Sequence, residues 1–412
     1  MEIALIIHEL LVEGGGERQV VCLAQALAQR GHQVTLYTSA YDRLHCFPDI
    51  CKTFTIKEVG RGPLPWLRRP PFVRGYLDMR RLASVIDQPH AIWNPHHWPA
   101  QWGAVWLAEK LGGSVVWMCN DVPDFQAKAK QPQSFRGTIL APLYWLYYLC
   151  DRRQNRKIAR TVLLSNWAES EYKAIYRGPT CLVQSGADPS RFAPGGERTR
   201  IRTRFGYKDD EFVLLWLGIF MPHRRLQDVI AAVRCLSARS IKVKLLLAGS
   251  DRSYPQYFNS LKTLAGDLGV QDQVTFAGKV PDEEIQDFYA ASDAFVFPNE
   301  RQTWGLAVLE AMACGCPVLV STGAGVHEIL SDKVNAMLFP PRSPEVLAHK
   351  IELLITQPDL RSEIARKGME LSRTSYTWER YADQVCRVCR EVLPRDSSAG
   401  LVSALAGSPG QS

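Results

Sequence analysis

Short apolar runs of strand length alternate with helical patterns along this chain, and they do so in two separate series. Residues 3–7 are apolar, Gly14-Gly15-Gly16 interrupts, and residues 18–30 carry Val20, Val21, Leu23, Ala24 and Leu27 at helical spacing before Gly31 ends the helix and 34–37 turn extended again. This is a βαβ unit, and its crossover makes the strands parallel. The alternation continues through extended 91–93, helical 104–111, and extended 114–118 and 161–164. A second series follows Pro194, with strands predicted at 212–217, 242–247, 274–277, 294–297 and 317–321 and helices at 228–236, 257–268, 283–291 and 306–314. The pattern predicts an α/β protein of two successive doubly wound domains, with ligand in the crevice between them at the carboxyl ends of both sheets.

Periodicity breaks at residues 183–194, where Gly186, Pro189 and Pro194 fall. The expected domains are therefore 1–190 and 191–374. A last helix, 378–392, follows a broken stretch at 372–377 and is expected to pack back on the first domain over about 375–393. The small-residue tail 394–412 is expected to be disordered. With 46% hydrophobic and 22% charged residues the chain is neither disordered nor fibrous. No internal repeat is found. No apolar run approaches the ~18 residues that cross a bilayer, and the N-terminus lacks the basic-then-apolar order of a signal peptide. Eleven scattered cysteines suit a reducing cytoplasm. Cys314/Cys316 and Cys386/Cys389 have no second pair or histidine cluster at zinc spacing, so no metal is expected.

Two loops carry chemistry. Glu13-Gly14-Gly15-Gly16-Glu17-Arg18 stands between strand and helix, where backbone amides and a helix N-terminus favour anions. It has neither the GxGxxG spacing of a dinucleotide site nor a P-loop lysine. In the second series, residues 297–315 place a polar loop, Glu300-Arg301-Gln302-Thr303-Trp304, before a helix opened by Gly305. Amides of Gly305, Leu306 and Ala307 can hold a diphosphate, and Glu310 can accept two vicinal ribose hydroxyls. That is nucleotide-sugar chemistry.

The whole constellation closely resembles the signature of family 4 retaining glycosyltransferases of the GT-B fold. In that family an acidic residue, an aromatic-Gly-Leu step and a Glu eight positions after the first precede Ala-Met-Ala-x-Gly. Gly14-Gly15-Gly16-Glu17-Arg18 matches the family's N-terminal loop, Ser165 the serine closing the first domain, and Gly186-Ala187-Asp188 with Phe192-Ala193-Pro194 the linker. Gly323-Ala324-Gly325-Val326-His327-Glu328 resembles the Gly-Gly-x-x-Glu turn. The resemblance spans about residues 1–392. It implies a metal-independent hexosyltransferase with a nucleotide diphosphate sugar as donor substrate, no cofactor, and Gly15 and Gly16 on the donor.

This chain departs from the family in three places. The first acid is an amide, Gln302, with Glu300 two residues early. The phosphate loop reads Gly218-Ile219-Phe220-Met221-Pro222-His223-Arg224-Arg225, so Arg224 takes the lysine slot and Arg225 replaces glycine. Asn120 stands near where relatives have a histidine close to the donor sugar; it can bond a hydroxyl but cannot act as a base. Gln302, Arg224 and Asn120 are the catalytic candidates. His96 and His97, after another strand, are candidates on the acceptor side, although histidines so placed more often fill structural roles. Tyr41-Asp42-Arg43-Leu44-His45-Cys46-Phe47 is similar to a motif of the α-1,3-mannosyltransferases of lipid-linked oligosaccharide assembly, which favours GDP-mannose and adds Tyr41 and His45 to the acceptor side.

Net charge is +7, yet residues 51–160 hold 17 Lys and Arg against 7 Asp and Glu. The apolar aromatic stretch 139–150 precedes Arg152, Arg153, Arg156, Lys157 and Arg160, and Arg68, Arg69, Arg74, Arg80 and Arg81 form another cluster. Basic flanks on an apolar stretch suit peripheral docking on an anionic membrane, where a polyprenyl-linked acceptor lies; a buried helix with solvated arginines is the alternative. No aromatic-interleaved basic module points to nucleic acid. Two rival functions stay open: a GT-B nucleotide-sugar epimerase, and a subunit that binds nucleotide-sugar and scaffolds a partner without turnover.

Overall fold

The computed structural model of the chain describes residues 1–63, 71–123 and 135–394. Arg68, Arg69 and the tail from 395 onward lie outside the described residues. The chain divides into two compact units, one holding Met1–Leu164, Ala168–Val183 and the chain from Tyr381, the other Ser165–Trp167 and Gln184–Arg380.

The first unit is built on β1 (Glu2–Leu10), β2 (Gln33–Tyr41), β3 (Thr55–Glu58), β4 (Ile92–Pro95), β5 (Ser114–Met118), β6 (Arg160–Leu163) and β7 (Thr180–Leu182). All pair in parallel in the order β3-β2-β1-β4-β5-β6-β7. Strand order reverses beside β1, whose Ile3 and Ile6 pair with Ile92 and Pro95 of β4. The second unit repeats the plan with β8 (Phe212–Leu217), β9 (Val243–Ala248), β10 (Val274–Gly278), β11 (Ala294–Phe297), β12 (Val318–Ser321) and β13 (Met337–Phe339), ordered β10-β9-β8-β11-β12-β13. Its reversal lies between β8 and β11. In doubly wound sheets such reversals open a ligand crevice at the carboxyl ends of the strands. The expected fold class is the one the chain adopts.

Central strands are buried on both faces, as helices covering a parallel sheet require: β4 and β11 are buried at every position, and β8 at all but the last. Each fully buried Leu or Val there contributes about 1.5–3 kcal/mol. From Tyr381 on, the helix Trp378–Val392 packs within the first unit, where buried Gln19 donates Nε2 to Tyr381 Oη at 2.9 Å and Ser114 Oγ donates to the Val392 carbonyl at 2.9 Å.

Periodicity missed several elements. Edge strands β3, β7 and β13 have only three or four residues, and β3 and β7 are partly exposed, so they show no apolar run. The helix Pro358–Ser375 continues into the stretch read as broken, because Ser372 is buried there and donates Oγ to the Leu309 carbonyl at 2.7 Å.

Candidate functional site

In the second unit the candidate residues gather at the strand reversal. After β8 the chain turns at Gly218 into a short 3₁₀ turn, Pro222–Arg224. The turn passes so close to the end of β9 that a Cβ on Gly249 would sit 1.5 Å from the Gly218 carbonyl oxygen; only glycine fits. Arg224 reaches back over this turn, its Nη1 3.7 Å from where a Cβ on Gly218 would lie.

Arg225 is different. It holds φ +52°, a left-handed conformation that glycine would adopt without strain. Its guanidinium forks onto Asp228, Nε to Oδ2 at 2.9 Å and Nη2 to Oδ1 at 2.8 Å. That corrects its expected role: the fork is committed to a carboxylate, so Arg225 braces the loop instead of offering a free phosphate clamp.

After β11 the polar loop is tied to the β8 loop by a bond from the Glu300 amide to the His223 carbonyl at 2.8 Å. The Glu300 carboxylate pairs with Arg342 at 3.0 Å, so it does not substitute for the missing acid. Gln302 is half-buried and held by its backbone, its N–H to the Gly323 carbonyl at 3.3 Å and its carbonyl taking the Gly325 N–H at 2.7 Å. Its side chain stays on the loop, 3.5 Å from Asn299 Nδ2. Thr303 and Trp304 turn inward. The Thr303 carbonyl accepts Ser165 Oγ at 2.9 Å, while the Trp304 indole, 3% exposed, donates to the Ser185 carbonyl at 3.2 Å. Their expected ligand contact is corrected for the Trp304 side chain, which belongs to the core.

Gly305 caps the helix Leu306–Ala313, whose first amides lack intrahelical acceptors. Glu310 is buried on that helix with Tyr289 Oη 3.4 Å from its Oε2. A buried carboxylate beyond a helix N-terminus and an arginine on the adjoining loop form a complementary pair for a sugar ring and a diphosphate.

The first unit builds its own cluster at its reversal. Gly14 caps the helix Gly15–Gln29 after β1, and His96 and His97 follow β4. His97 adopts φ +60° and fills the space beside the glycines: a Cβ on Gly16 would lie 2.3 Å from its Nε2. Asn120 Nδ2 stands 3.4 Å from the same nitrogen. Glu17 borders the cluster; burial raises its carboxyl above the usual range, partly offset by its own backbone amide and by His97.

His96 is a correction. It is fully buried, its Nε2 bonded to Asn94 Oδ1 at 3.1 Å, and burial drives its pKa far down, so it is a neutral core group and not an acceptor-side contact. Nothing in two adjacent letters of sequence distinguishes it from His97. The Tyr41–Phe47 turn also proves to be a support. Asp42 Oδ1 accepts the amides of Leu44 and His45 at 3.1 Å, Cys46 Sγ donates to the Val12 carbonyl at 3.3 Å, and the Arg18 guanidinium lies 5.1 Å from the Phe47 ring centroid. His45 is exposed and pairs with Asp42.

Among the described residues one group has the spacing of metal ligands: His8, Glu9 and Asp78 lie with one ligand atom each within 4.8 Å of one another. Its carboxylates are already engaged, Asp78 by His8 at 2.8 Å and the Gly62 amide at 2.6 Å, Glu9 by Arg74 and by Arg61 at 3.2 Å. Two guanidinium groups oppose a cation there. Arg74 is thereby removed from the free basic cluster, and Lys157 likewise pairs with Glu109.

Known proteins resemble this chain along most of its length. The family model Glycosyltransferase Family 4 matches residues 13–191, and Glycosyl transferases group 1 matches residues 197–370. The mannosylfructose-phosphate synthase of Agrobacterium fabrum is 26% identical over 394 residues, covering 90% of this chain and 85% of that protein. The sucrose-phosphate synthase of Thermosynechococcus elongatus superposes with a TM-score of 0.78 at 21% identity, over 95% of this chain and 99% of that one. Anabaena HepE in complex with UDP-glucose superposes with a TM-score of 0.74 at 17% identity, over 95% and 100%.

Proposed function

The chain belongs to the family 4 glycosyltransferases of the GT-B fold, and on that footing we propose that it transfers a hexose from a nucleotide diphosphate sugar, with retention and without a metal, to a glycan or polyprenyl-linked acceptor at the cytoplasmic face of a membrane. The observation that carries this reading is the bond from the Glu300 amide to the His223 carbonyl, which joins the loop of Arg224 to the loop of Gln302 and the helix of Glu310. Glu310 accepts the ribose hydroxyls, Arg224 and the amides at Gly305–Ala307 hold the diphosphate, and Gln302 bonds sugar hydroxyls. As the glycosidic bond breaks, charge develops on the departing diphosphate; an arginine and a helix N-terminus stabilise such charge and so lower the barrier. Gly15, Gly16, His97 and Asn120 form the first unit's contribution, with His97 set between Gly16 and Asn120.

Mannose is the favoured sugar, supported by the Tyr41–Phe47 motif and by the name of the Agrobacterium relative. Membrane docking is supported by the helix Phe135–Asn155, which buries Tyr148, Asp151 and Asn155 and exposes Trp145, Leu146, Leu149 and Arg153. No described helix is long and apolar enough to cross a membrane. A second reading, a donor-binding subunit without turnover, draws on the two amides Gln302 and Asn120.

The test is a panel of GDP- and UDP-sugars, read by thermal shift and by nucleotide release. GDP-mannose is expected to stabilise the protein most and to be slowly hydrolysed, with chelator making no difference. Stabilisation with no turnover under any acceptor would favour the subunit reading, interconversion of the sugars an epimerase, and strict dependence on a divalent ion would overturn the arginine clamp.

A further inference from the structure

We propose that a basic recess on the first unit, between the helices Pro71–Val85 and Ala100–Leu111, is a binding site for the phosphate headgroup of an anionic lipid. The inference rests on the membrane-docking reading above and assigns that reading a specific contact. The recess encloses about 470 Å³ and is lined by Leu77, Arg80, Arg81, Trp106 and Lys110, with Pro63 at its rim.

Its lining separates it from the glycine loop. Lys110, in the last turn of its helix, lies toward the amino ends of the sheet, while Arg81 bonds the Val59 carbonyl just past the end of the edge strand β3. The glycine loop and His97 follow the carboxyl ends. None of the residues lining the recess belongs to that loop or to the turns after β1 and β4, so the recess is built from a separate set of groups.

Its chemistry is that of a phosphate receptor. Lys110 spends its ammonium on the carbonyls of Ala83, Ser84 and Ile86, the last at 2.8 Å, so it adds charge but few free donors. The arginines keep theirs. Arg81 uses only Nε, on the Val59 carbonyl at 3.2 Å. Arg80 lies with its guanidinium 5.1 Å from the Trp106 ring centroid, which holds the plane while its N–H edge stays open. Among the described residues no carboxylate pairs with Arg80, Arg81 or Lys110. Three cations without a counter-ion, two of them presenting planar forks, match phosphate oxygens, and Leu77 with the Trp106 face supplies an apolar wall.

The apolar neighbourhood favours a lipid as the source of that phosphate. Trp106 packs edge-on to Tyr76 at 5.5 Å, and Tyr76 to Tyr147 at 6.5 Å. Tyr147 sits on the helix Phe135–Asn155, whose outer side leaves Trp145 37%, Leu146 55% and Leu149 57% exposed. A ladder of rings thus joins the basic recess to an exposed apolar stripe. Arginines at headgroup level beside side chains able to enter the acyl boundary are what binding at a bilayer interface needs, whereas a soluble phosphate ester has no use for the stripe.

The full chain is tested by co-sedimentation with vesicles of phosphatidylcholine alone and of equimolar phosphatidylglycerol and phosphatidylcholine, and by calorimetry with glycerol phosphate. Wild type is expected to bind only the anionic vesicles, and Arg80→Ser with Arg81→Ser to weaken that binding by about tenfold or more, with the thermal shift by nucleotide-sugar unchanged as the check on folding. Binding of glycerol phosphate that is lost in the double variant, without vesicle binding, would keep the phosphate site but overturn its lipid source and the docking reading together. Vesicle binding that falls with Arg152→Ser, Arg153→Ser and Arg156→Ser but survives the Arg80 and Arg81 changes would keep docking and overturn the recess. Wild-type protein that binds neither probe would overturn both.

Discussion

The two units share one sheet plan and use their charges in opposite ways. The second is a nearly continuous stretch of chain, and its most basic helix is paired internally. Along the helix Arg198–Arg204, Arg198 and Arg202 meet Asp293, Arg200 meets Asp287 and Glu284, and Arg204 meets Glu284. The first unit is assembled from three stretches, and Arg80, Arg81, Arg153 and Arg156 find no acidic partner among its described residues. A domain whose charges are satisfied within itself is suited to hold a small donor in a set geometry. One that leaves cations open beside exposed apolar side chains is suited to a partner outside the chain.

That contrast can be broken most directly at Glu310. If donor recognition belongs to the second unit, Glu310→Ala lowers kcat/KM by about 10²-fold or more, since a charged hydrogen bond is worth about 1.5–3 kcal/mol and two are lost. An unchanged circular dichroism spectrum would confirm the fold, and normal activity would remove the ribose assignment. The first unit's counterpart is Gly16→Val. Its side chain collides with His97, and transfer should fall by about 10²-fold while the thermal shift caused by nucleotide-sugar stays at the wild-type size. A lost thermal shift would mean that the first unit binds the donor as well.

A smaller effect is expected at Asp151, buried in the first unit beneath the exposed stripe. Burial pushes its carboxyl up to about 6 from 3.8, against donors from Tyr176, Trp102 and Gln101. The folded chain therefore keeps a proton that the unfolded chain releases, so the contribution of Asp151 to stability falls as pH rises from about 4 to 6, by about 3 kcal/mol overall. Asp151→Asn should remove that slope from denaturation midpoints measured across this window; an identical slope would place the carboxylate in a more polar setting. Least of all should change with Arg225→Gly. Relief of a left-handed arginine, about 1 kcal/mol, offsets the lost Asp228 pair, itself about 1 kcal/mol or less, so stability should move by under about 1 kcal/mol in chemical denaturation.

Much of this molecule can be read from residue order. Strands such as Ser114–Met118, Phe212–Leu217 and Ala294–Phe297 are legible to the residue because a strand covered on both faces must be apolar throughout. Glu310, Arg224 and the glycine loop stand out in the sequence because the proposed phosphate and ribose recognition needs particular groups at particular offsets from a helix start. Edge strands are not, since Thr55–Glu58 is held by pairing to β2 and not by burial.

The chain order alone therefore suffices for the α/β class, the two successive sheets and the loops that carry chemistry, because these follow from local periodicity and spacing. Tertiary structure decided which polar groups remain free. His96 enters the core while His97 meets Gly16; Arg225 is spent on Asp228, Trp304 on Ser185, and Arg74 on Glu9, whereas Arg80 and Arg81 stay open. Each of these outcomes depends on a spatial partner whose position no local pattern encodes, and a side chain's chemistry is available to a ligand only when no such partner has claimed it.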